Sequence, residues 1–448
     1  MQQQPHRTQL PLWFLVANWL LILAAFGMGV WLGGNRHGGL PETQREALEI
    51  VYQQVLTSHI QPPEGEELLE RAIAGMVDNL DEYSHYYPPA AVPRYDEAST
   101  GNYEGIGAKV AEHDGQVIVH FPFPNGPADR AGLRPGDRIL AVDSQKLAGE
   151  GAVAWSVQLV RGTAGSPVQL TVARGDDQLE ITVERGSVQR PCVKWIDYVD
   201  REAGLGYVHL TGFHPTAYPQ LIAAIETLEK DANNGELRGL ILDLRYNRGG
   251  SLDQCLDIAR TFVADGIIAT QQRPETDDEV YAAEPSKCRW PDLPMVVLVN
   301  ELSASASEVL SGALQDHKRA AIVGVRTHGK GYVNTVYSWQ GHDFKLKLTT
   351  GSYRTPSGRN IERNQASNLN AADAENGGIL PDIEVALDKQ QKLQTSTLLE
   401  RVLEVPDRFE AGYREVAARF GFEVEAGPTE TPDPQLKAAI KALRERIQ

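Results

Sequence analysis

Twice in its second half the chain runs from a short apolar segment through small polar residues straight into a helical pattern. GLILDLR (239–245) leads through YNRGGSLD (246–253) into LDQCLDIARTFV (252–263). MVVLVN (295–300) leads through SASASE (303–308) into EVLSGALQDH (308–317), with Val309, Leu310 and Ala313 at helical spacing. Apolar runs without polar alternation suit strands buried on both faces. GLGYVHL (204–210) and the helical PQLIAAIETLEKDA (219–232) precede them, so the β-α-β-α rhythm over 204–385 predicts a largely parallel sheet covered by helices.

Ligands of open α/β sheets bind at the carboxyl ends of the strands. Ser305 falls there, at the mouth of a predicted helix, facing its positive end and unpaired N–H groups. That setting suits a nucleophile whose attack creates an oxyanion, and a serine needs a base. Lys330 follows twenty-five residues later between Gly329 and Gly331; burial would leave part of it neutral. Gly249-Gly250 reads either as a tight turn or as a second oxyanion donor facing Ser305. The bland alternative for the whole set is serines that cap a helix and a surface lysine. Asp316, His317 and His328 offer a Ser-His-Asp arrangement, but no G-x-S-x-G elbow surrounds any serine, and the glycine-flanked lysine favours Ser-Lys. Neither G-x-G-x-x-G nor a Walker lysine is present, which weakens a nucleotide reading.

At 448 residues the chain exceeds one ordinary core, and 42% hydrophobic with 23% charged residues is usual for folded protein. A formal net charge of −17, with no basic run, argues against a nucleic-acid partner. Of three cysteines, Cys255 sits in a predicted helix as a small buried hydrophobe, a Cys192–Cys288 bridge stays open, and no Cys/His cluster has zinc-ligand spacing. No cofactor or metal is expected. Residues 12–33 carry no charge, and twenty-two residues at about 1.5 Å each span a bilayer core of roughly 30 Å. The segment is too long for the apolar part of a signal peptide and has no clear cleavage site. It reads as an uncleaved anchor with Trp13, Trp19 and Trp31 as interfacial residues.

The expected organisation is α/β multidomain. A stub and anchor occupy 1–36, and a helical region 37–98, with helices at 45–60 and 67–84. A β-rich domain covers 99–187, with a hairpin of VQLTV and LEITV turning at Gly175-Asp176-Asp177. The α/β core runs over 188–387 and a helical tail over 388–448; the tail reads equally as a dimerisation element, a cap on the core or a dock for a partner. Tyr103-Glu104-Gly105-Ile106-Gly107, entering an edge strand, could capture a peptide carboxylate on backbone N–H groups, or be a plain turn.

Together these residues resemble the carboxyl-terminal processing, or tail-specific, serine peptidases over about 45–387. NLDEYSHYY (79–87), YEGIGA (103–108), GPADRAGLRPGDRILAVD (126–143), LRGLILDLRYNRGGSLD (237–253), SASASEVLSGALQD (303–316), GVRTHGKGYVN (324–334), KLTTGSYRTPSGRNI (347–361) and GGILPDIEV (377–385) occur in the family's order. The resemblance implies a PDZ-like domain at 99–187, with substrate-binding Tyr103, Gly105, Ile106 and Gly107, that recognises the substrate's C-terminus and gates the cleft. It implies Ser305 as nucleophile and Lys330 as base, with an oxyanion hole of Ala306 and one of Gly249 or Gly250. Asp316 is implied as a supporting acid or a helix-end group. Implied partners are proteins or peptides with exposed C-termini, the membrane through the anchor, and an activating protein. The implied location is the inner membrane with an extracytoplasmic, periplasmic catalytic domain. Three departures stand out: Asn334 replaces the usual glutamine that orients the lysine, Leu302 stands near the usual glycine before the serines, and 362–377 is longer than usual. A catalytically degenerate PDZ-type adaptor is the alternative.

Overall fold

The computed structural model describes residues 39–147, 149, 151–231, 236–274, 276–363, 377–401, 405–420 and 432–448. The predicted anchor at 12–33 lies outside the described residues, as does most of the 362–377 insertion. Among the described residues no helix is long and apolar enough to cross a membrane.

The chain divides into two compact units, up to Met76 and from Val77 onward. The first holds the helix Glu42–Ser58 and all but the last residue of the helix Gly65–Val77. The second helix ends well short of the predicted residue 84. Asp81 accepts hydrogen bonds from the backbone N–H groups of Tyr83 and Ser84 (2.7 and 2.8 Å), so its short side chain offers the backbone an alternative to the next helical turn.

In the second unit, a β-rich body forms an antiparallel sheet. Its strands are Ala108–His113, Gln116–Pro122, Arg138–Val142, Pro167–Arg174 and Asp177–Glu184 in that order. Val168, Leu170 and Val172 point into its core by simple alternation, and the predicted hairpin joins the last two strands. The helix Ala152–Val160 lies beside this sheet.

The α/β body has a six-stranded sheet in the order Val193–Asp200, Leu205–Leu210, Gly239–Asp243, Met295–Val299, Ala320–Gly324, Ile383–Glu384. The first pair is antiparallel and the rest are parallel. All five residues of Met295–Val299 are fully buried because both faces are covered. Met295, Val297 and Val299 pack with Leu221, Ile258 and Leu310 of the three crossover helices. Val296 and Leu298 pack with Leu436, Ala439 and Leu443 of the C-terminal helix Pro434–Ile447. The last part of the tail thus caps the core, one of the roles left open by its sequence. A second sheet carries the hairpin Tyr332–Ser338 and Lys345–Arg354, with His85–Tyr87 and Ile267–Gln272 on the other side of the longer strand. All three cysteines are free thiols, so there is no Cys192–Cys288 bridge.

Candidate active site

The three serines of SASASE have different tasks. Ser303 and Ser307 are fully buried and brace the loop: Ser303 Oγ donates to Leu244 O and Ser307 Oγ to Asn247 O, each at 2.8 Å. Ser305, half-buried, stands between them as the residue before the helix Ala306–Asp316. Its backbone is at φ 57°, ψ −116°, a region rarely adopted by residues with a Cβ and costing on the order of 1–3 kcal/mol. Its N–H donates to Glu308 Oε2 at 2.8 Å, and its carbonyl accepts from the N–H groups of Glu308 and Val309. Behind it the Cys255 thiol donates to Ala306 O at 3.2 Å.

The Gly249-Gly250 turn lies against this loop. A Cβ on Gly249 would fall 2.9 Å from Ser305 Cβ and 2.7 Å from Ala304 O, with φ at +96°. Only glycine fits so close an approach. The N–H of Gly249 is taken by Asn247 Oδ1 at 2.9 Å. Those of Gly250 and Ala306 have no hydrogen-bond partner among the described residues, which selects Gly250 from the pair as the available donor.

Lys330 is brought to Ser305 by one buried carboxylate. Glu308 Oε2 accepts from the N–H groups of both Ser305 (2.8 Å) and Lys330 (2.9 Å), so those nitrogens are no further apart than the two bonds together. Its Oε1 accepts from Gly329 N–H and Thr327 Oγ1, both at 2.6 Å. Burial pushes the Glu308 carboxyl up to about 7, the four donors holding it back from a larger rise. Burial, then the neighbouring Lys347 ammonium, lowers the Lys330 amine below the usual lysine range, against an upward pull from Glu362, Glu308 and Glu82. The ring of Tyr83 faces the Lys330 amine, with Nζ 4.7 Å from its centroid. The two flanking glycines serve packing rather than display. A Cβ on Gly331 would sit 2.3 Å from Glu362 N, where the return segment crosses.

Other predicted residues lie elsewhere or hold other partners. Asp316 is at the far end of the helix, about 16 Å along its axis from Ser305 at 1.5 Å per residue. There it binds Arg359 and accepts from Ser357 N–H at 2.9 Å, contacts that suit a helix-end group. His317, at the same end, bonds Ile267 O at 2.7 Å, so the Asp316–His317 pair stands a helix length from Ser305; His328 is exposed, with its backbone N–H on Ser303 O at 3.0 Å. The Asn334 amide donates to Thr349 Oγ1 at 3.0 Å and makes no hydrogen bond to Lys330. Leu302 is partly buried, its N–H on Asn300 Oδ1. Glu308 and Tyr83 were missed by sequence reasoning, although both stand inside segments already singled out. The one available signal was an acid three residues after the serine at a helix start, which resembles an ordinary cap.

A separate cavity of about 520 Å³ lies at the β-rich body. Tyr103, Gly105, Ile106 and Gly107 line it, as do Val157 and Val160 of the helix Ala152–Val160. The N–H groups of Ile106 and Gly107 have no partner among the described residues. Arg161 and Arg190 stack on the Tyr103 ring at 5.6 and 5.5 Å and share the Glu97 carboxylate. Lys194, Tyr246 and Leu399 line it as well.

A serine at positive φ at a helix mouth, a half-buried lysine and a cavity of about 520 Å³ beside the β-rich body suit a peptidase with an attached binding module. The model of peptidase family S41 matches residues 204–385, and that of the PDZ domain matches 105–184. A carboxy-terminal-processing protease of Bartonella bacilliformis is 34% identical over 315 residues, 70% of this chain and 71% of that protein. The carboxy-terminal processing protease CtpA of Bacillus subtilis is 29% identical over 86% of this chain and 79% of its own length. A solved photosystem II D1 C-terminal processing protease is 28% identical with a TM-score of 0.42, over 76% of this chain and 86% of that one. The chain belongs to peptidase family S41, as a carboxy-terminal-processing serine peptidase with a PDZ domain.

Proposed function

We propose that this peptidase is an endopeptidase that cleaves proteins near their C-termini with a Ser305–Lys330 dyad. The joint hold of Glu308 on the backbones of both residues is the observation that carries this reading. Ser305 Oγ attacks the scissile carbonyl carbon and its proton passes to Lys330 Nζ. The carbonyl oxygen, now an oxyanion, is held by the N–H groups of Ala306 and Gly250 at the positive end of the helix. As the C–N bond breaks, Lys330 returns the proton to the leaving amine. Water then releases the acyl group, with Lys330 as base again.

The PDZ domain would hold the substrate's tail, with its carboxylate on the N–H groups of Ile106 and Gly107 and its side chains against Val157 and Val160. We place the apolar segment 12–33 in the inner membrane, with the catalytic body on the extracytoplasmic side. An activating partner protein belongs to the same proposal.

The test is cleavage of an unfolded protein by the full chain beside Ser305→Ala. Fragments from the wild type alone support the dyad; fragments from both would assign the chemistry to another nucleophile. Activity should rise with pH as the lowered Lys330 amine deprotonates, and Lys330→Arg should be inactive because arginine keeps its proton. A catalytically degenerate PDZ-type adaptor is the second reading, favoured by the Asn334 amide, which binds Thr349 instead of the lysine. Turnover by the wild type excludes it.

A further inference from the structure

We propose that Tyr83 is a positioning residue for the candidate base, its ring roofing the Lys330 amine. The inference rests on the Ser305–Lys330 reading. Lys330 Nζ stands 4.7 Å from the centroid of the Tyr83 ring, and Tyr83 in turn meets Tyr332 edge-on at 6.1 Å. Burial, with Glu82, Glu362 and Glu308 nearby, drives the Tyr83 hydroxyl well above the ordinary tyrosine range, so the ring is a neutral phenol.

The roof is tied to the hairpin that begins two residues after the base. Asp81 holds the Tyr83 loop by both N–H groups and by Ser84 Oγ, and accepts from Thr349 Oγ1 at 3.0 Å. Thr349 N–H donates back to Ser84 Oγ at 3.0 Å. Thr349 belongs to the long strand of the hairpin whose first strand begins at Tyr332, and Asn334 on that first strand reaches Thr349 Oγ1. In this chain, then, Asn334 secures the roof of the lysine instead of touching the lysine. Charged neighbours come from every side: Glu308 from the serine helix, Glu362 from the return segment, Lys347 from the long strand and Glu82 from the Tyr83 loop.

A ring in this place does two opposed things. Covering the amine keeps water away and favours its neutral form. Presenting a π-face stabilises the ammonium that forms when Ser305 gives up its proton. Side chains that separate the two effects therefore shift the pH dependence in opposite directions, which a merely structural residue would not do.

The experiment is inactivation of the full chain by a fluorophosphonate. Ser305 Oγ bonds to phosphorus, fluoride leaves, and the hydroxyl proton goes to Lys330, with no tail recognition involved. The second-order rate constant is followed against pH for the wild type and for Tyr83→Phe, Tyr83→Leu and Tyr83→Ala. The shift is read on the upper, lysine limb, apart from the titration of Glu308. Phe retains cover and ring and should keep the limb at the wild-type pH. Leu keeps cover without a π-face, and the limb should move down by about half a unit, with a several-fold lower plateau. Ala opens the amine to water, and the limb should rise by about one unit. A limb at one pH in all four proteins, whatever their plateaus, overturns the inference. If Tyr83→Ala does not fold, judged by circular dichroism, the Phe and Leu pair still decides. Lys330→Ala in the same assay separates the two levels: full labelling there sinks the dyad itself, whereas lost labelling with an unmoved limb sinks only the role of Tyr83.

Discussion

Glu308 shows how one side chain can set both the geometry and the pH response of the site. It is fully buried, yet it has no ion pair among the described residues; its charge is met by four donors from the serine loop and the lysine loop. Its carboxyl is pushed up to about 7 from an ordinary 4.5, so the native state holds the proton more tightly than the unfolded chain. The stability this contributes is full below about 4.5 and is lost as pH rises through 7, at about 1.4 kcal/mol per unit at most. Denaturant unfolding across that window should therefore show stability falling with pH, and Glu308→Gln should flatten that slope. The amide should also cost activity of 100-fold or more, because its NH2 meets N–H donors where an oxygen is required. A Gln variant with wild-type turnover would mean that Ser305 and Lys330 hold their places without the tie. The Glu308 role was hidden in the sequence because an acid at the third helical position is an ordinary capping residue. Only the tertiary return of the 327–330 loop gives it three more donors to bind.

At the scale of elements, the strand-turn-helix units were legible because burial on both faces leaves unbroken apolar runs, and helices such as Leu252–Phe262 keep a clear apolar stripe. The segment 78–84 was not. DNLDEYS has helical composition, but the Asp81 side chain competes for the backbone and turns the chain so that Tyr83 faces Lys330. The serine helix illustrates the same limit. Its register was readable, while the use of its far end was not, because a family motif marks Asp316 without saying which side chain meets it. Here Asp316 binds Arg359 and the Ser357 N–H; against its partial burial, hydrogen bonds from Thr355 and Ser357, and then the Arg359 charge, hold its carboxyl below the usual aspartate range. Asp316→Asn should lower the melting temperature by a few degrees, the effect of about 1 kcal/mol, while turnover stays within twofold. A loss of turnover without a loss of stability would return Asp316 to the chemistry. The Gly331 crossing is less forgiving. Gly331→Ala drives a Cβ into the Glu362 backbone, and both activity and thermal stability should fall together.

Across the whole second unit, the tail joins the two functional bodies. The helix Asp407–Phe420 lays Tyr413 and Val416 on the PDZ domain, where Tyr413 meets the rings of His120 and Phe121 at 5.2 and 6.2 Å, and Arg408 pairs with Asp129. The helix Pro434–Ile447 covers the second face of the peptidase sheet. Between them Asp433 caps the last helix and pairs with Arg245 at 2.6 Å. Arg245 is fully buried, shares Asp243 at 2.6 Å, and follows the strand that leads into Gly249-Gly250. Sequence could mark the tail as helical but not say which surface it covers, since an amphipathic stripe fits any apolar face. Removal of 432–448 strips the sheet of its cover and leaves Arg245 with one carboxylate instead of two. Breaking a buried pair costs about 3–5 kcal/mol even before the exposed apolar face is counted. The truncated chain should therefore lose the cooperative unfolding transition of the peptidase body, while the PDZ domain, which has its own core, still binds a C-terminal peptide by fluorescence anisotropy. Asp433→Ala is the milder form of the same test: a lower melting temperature with a smaller loss of turnover. If the truncated protein instead unfolds at the wild-type temperature, the last helix is a passenger on the sheet, and Arg245 is satisfied by Asp243 alone.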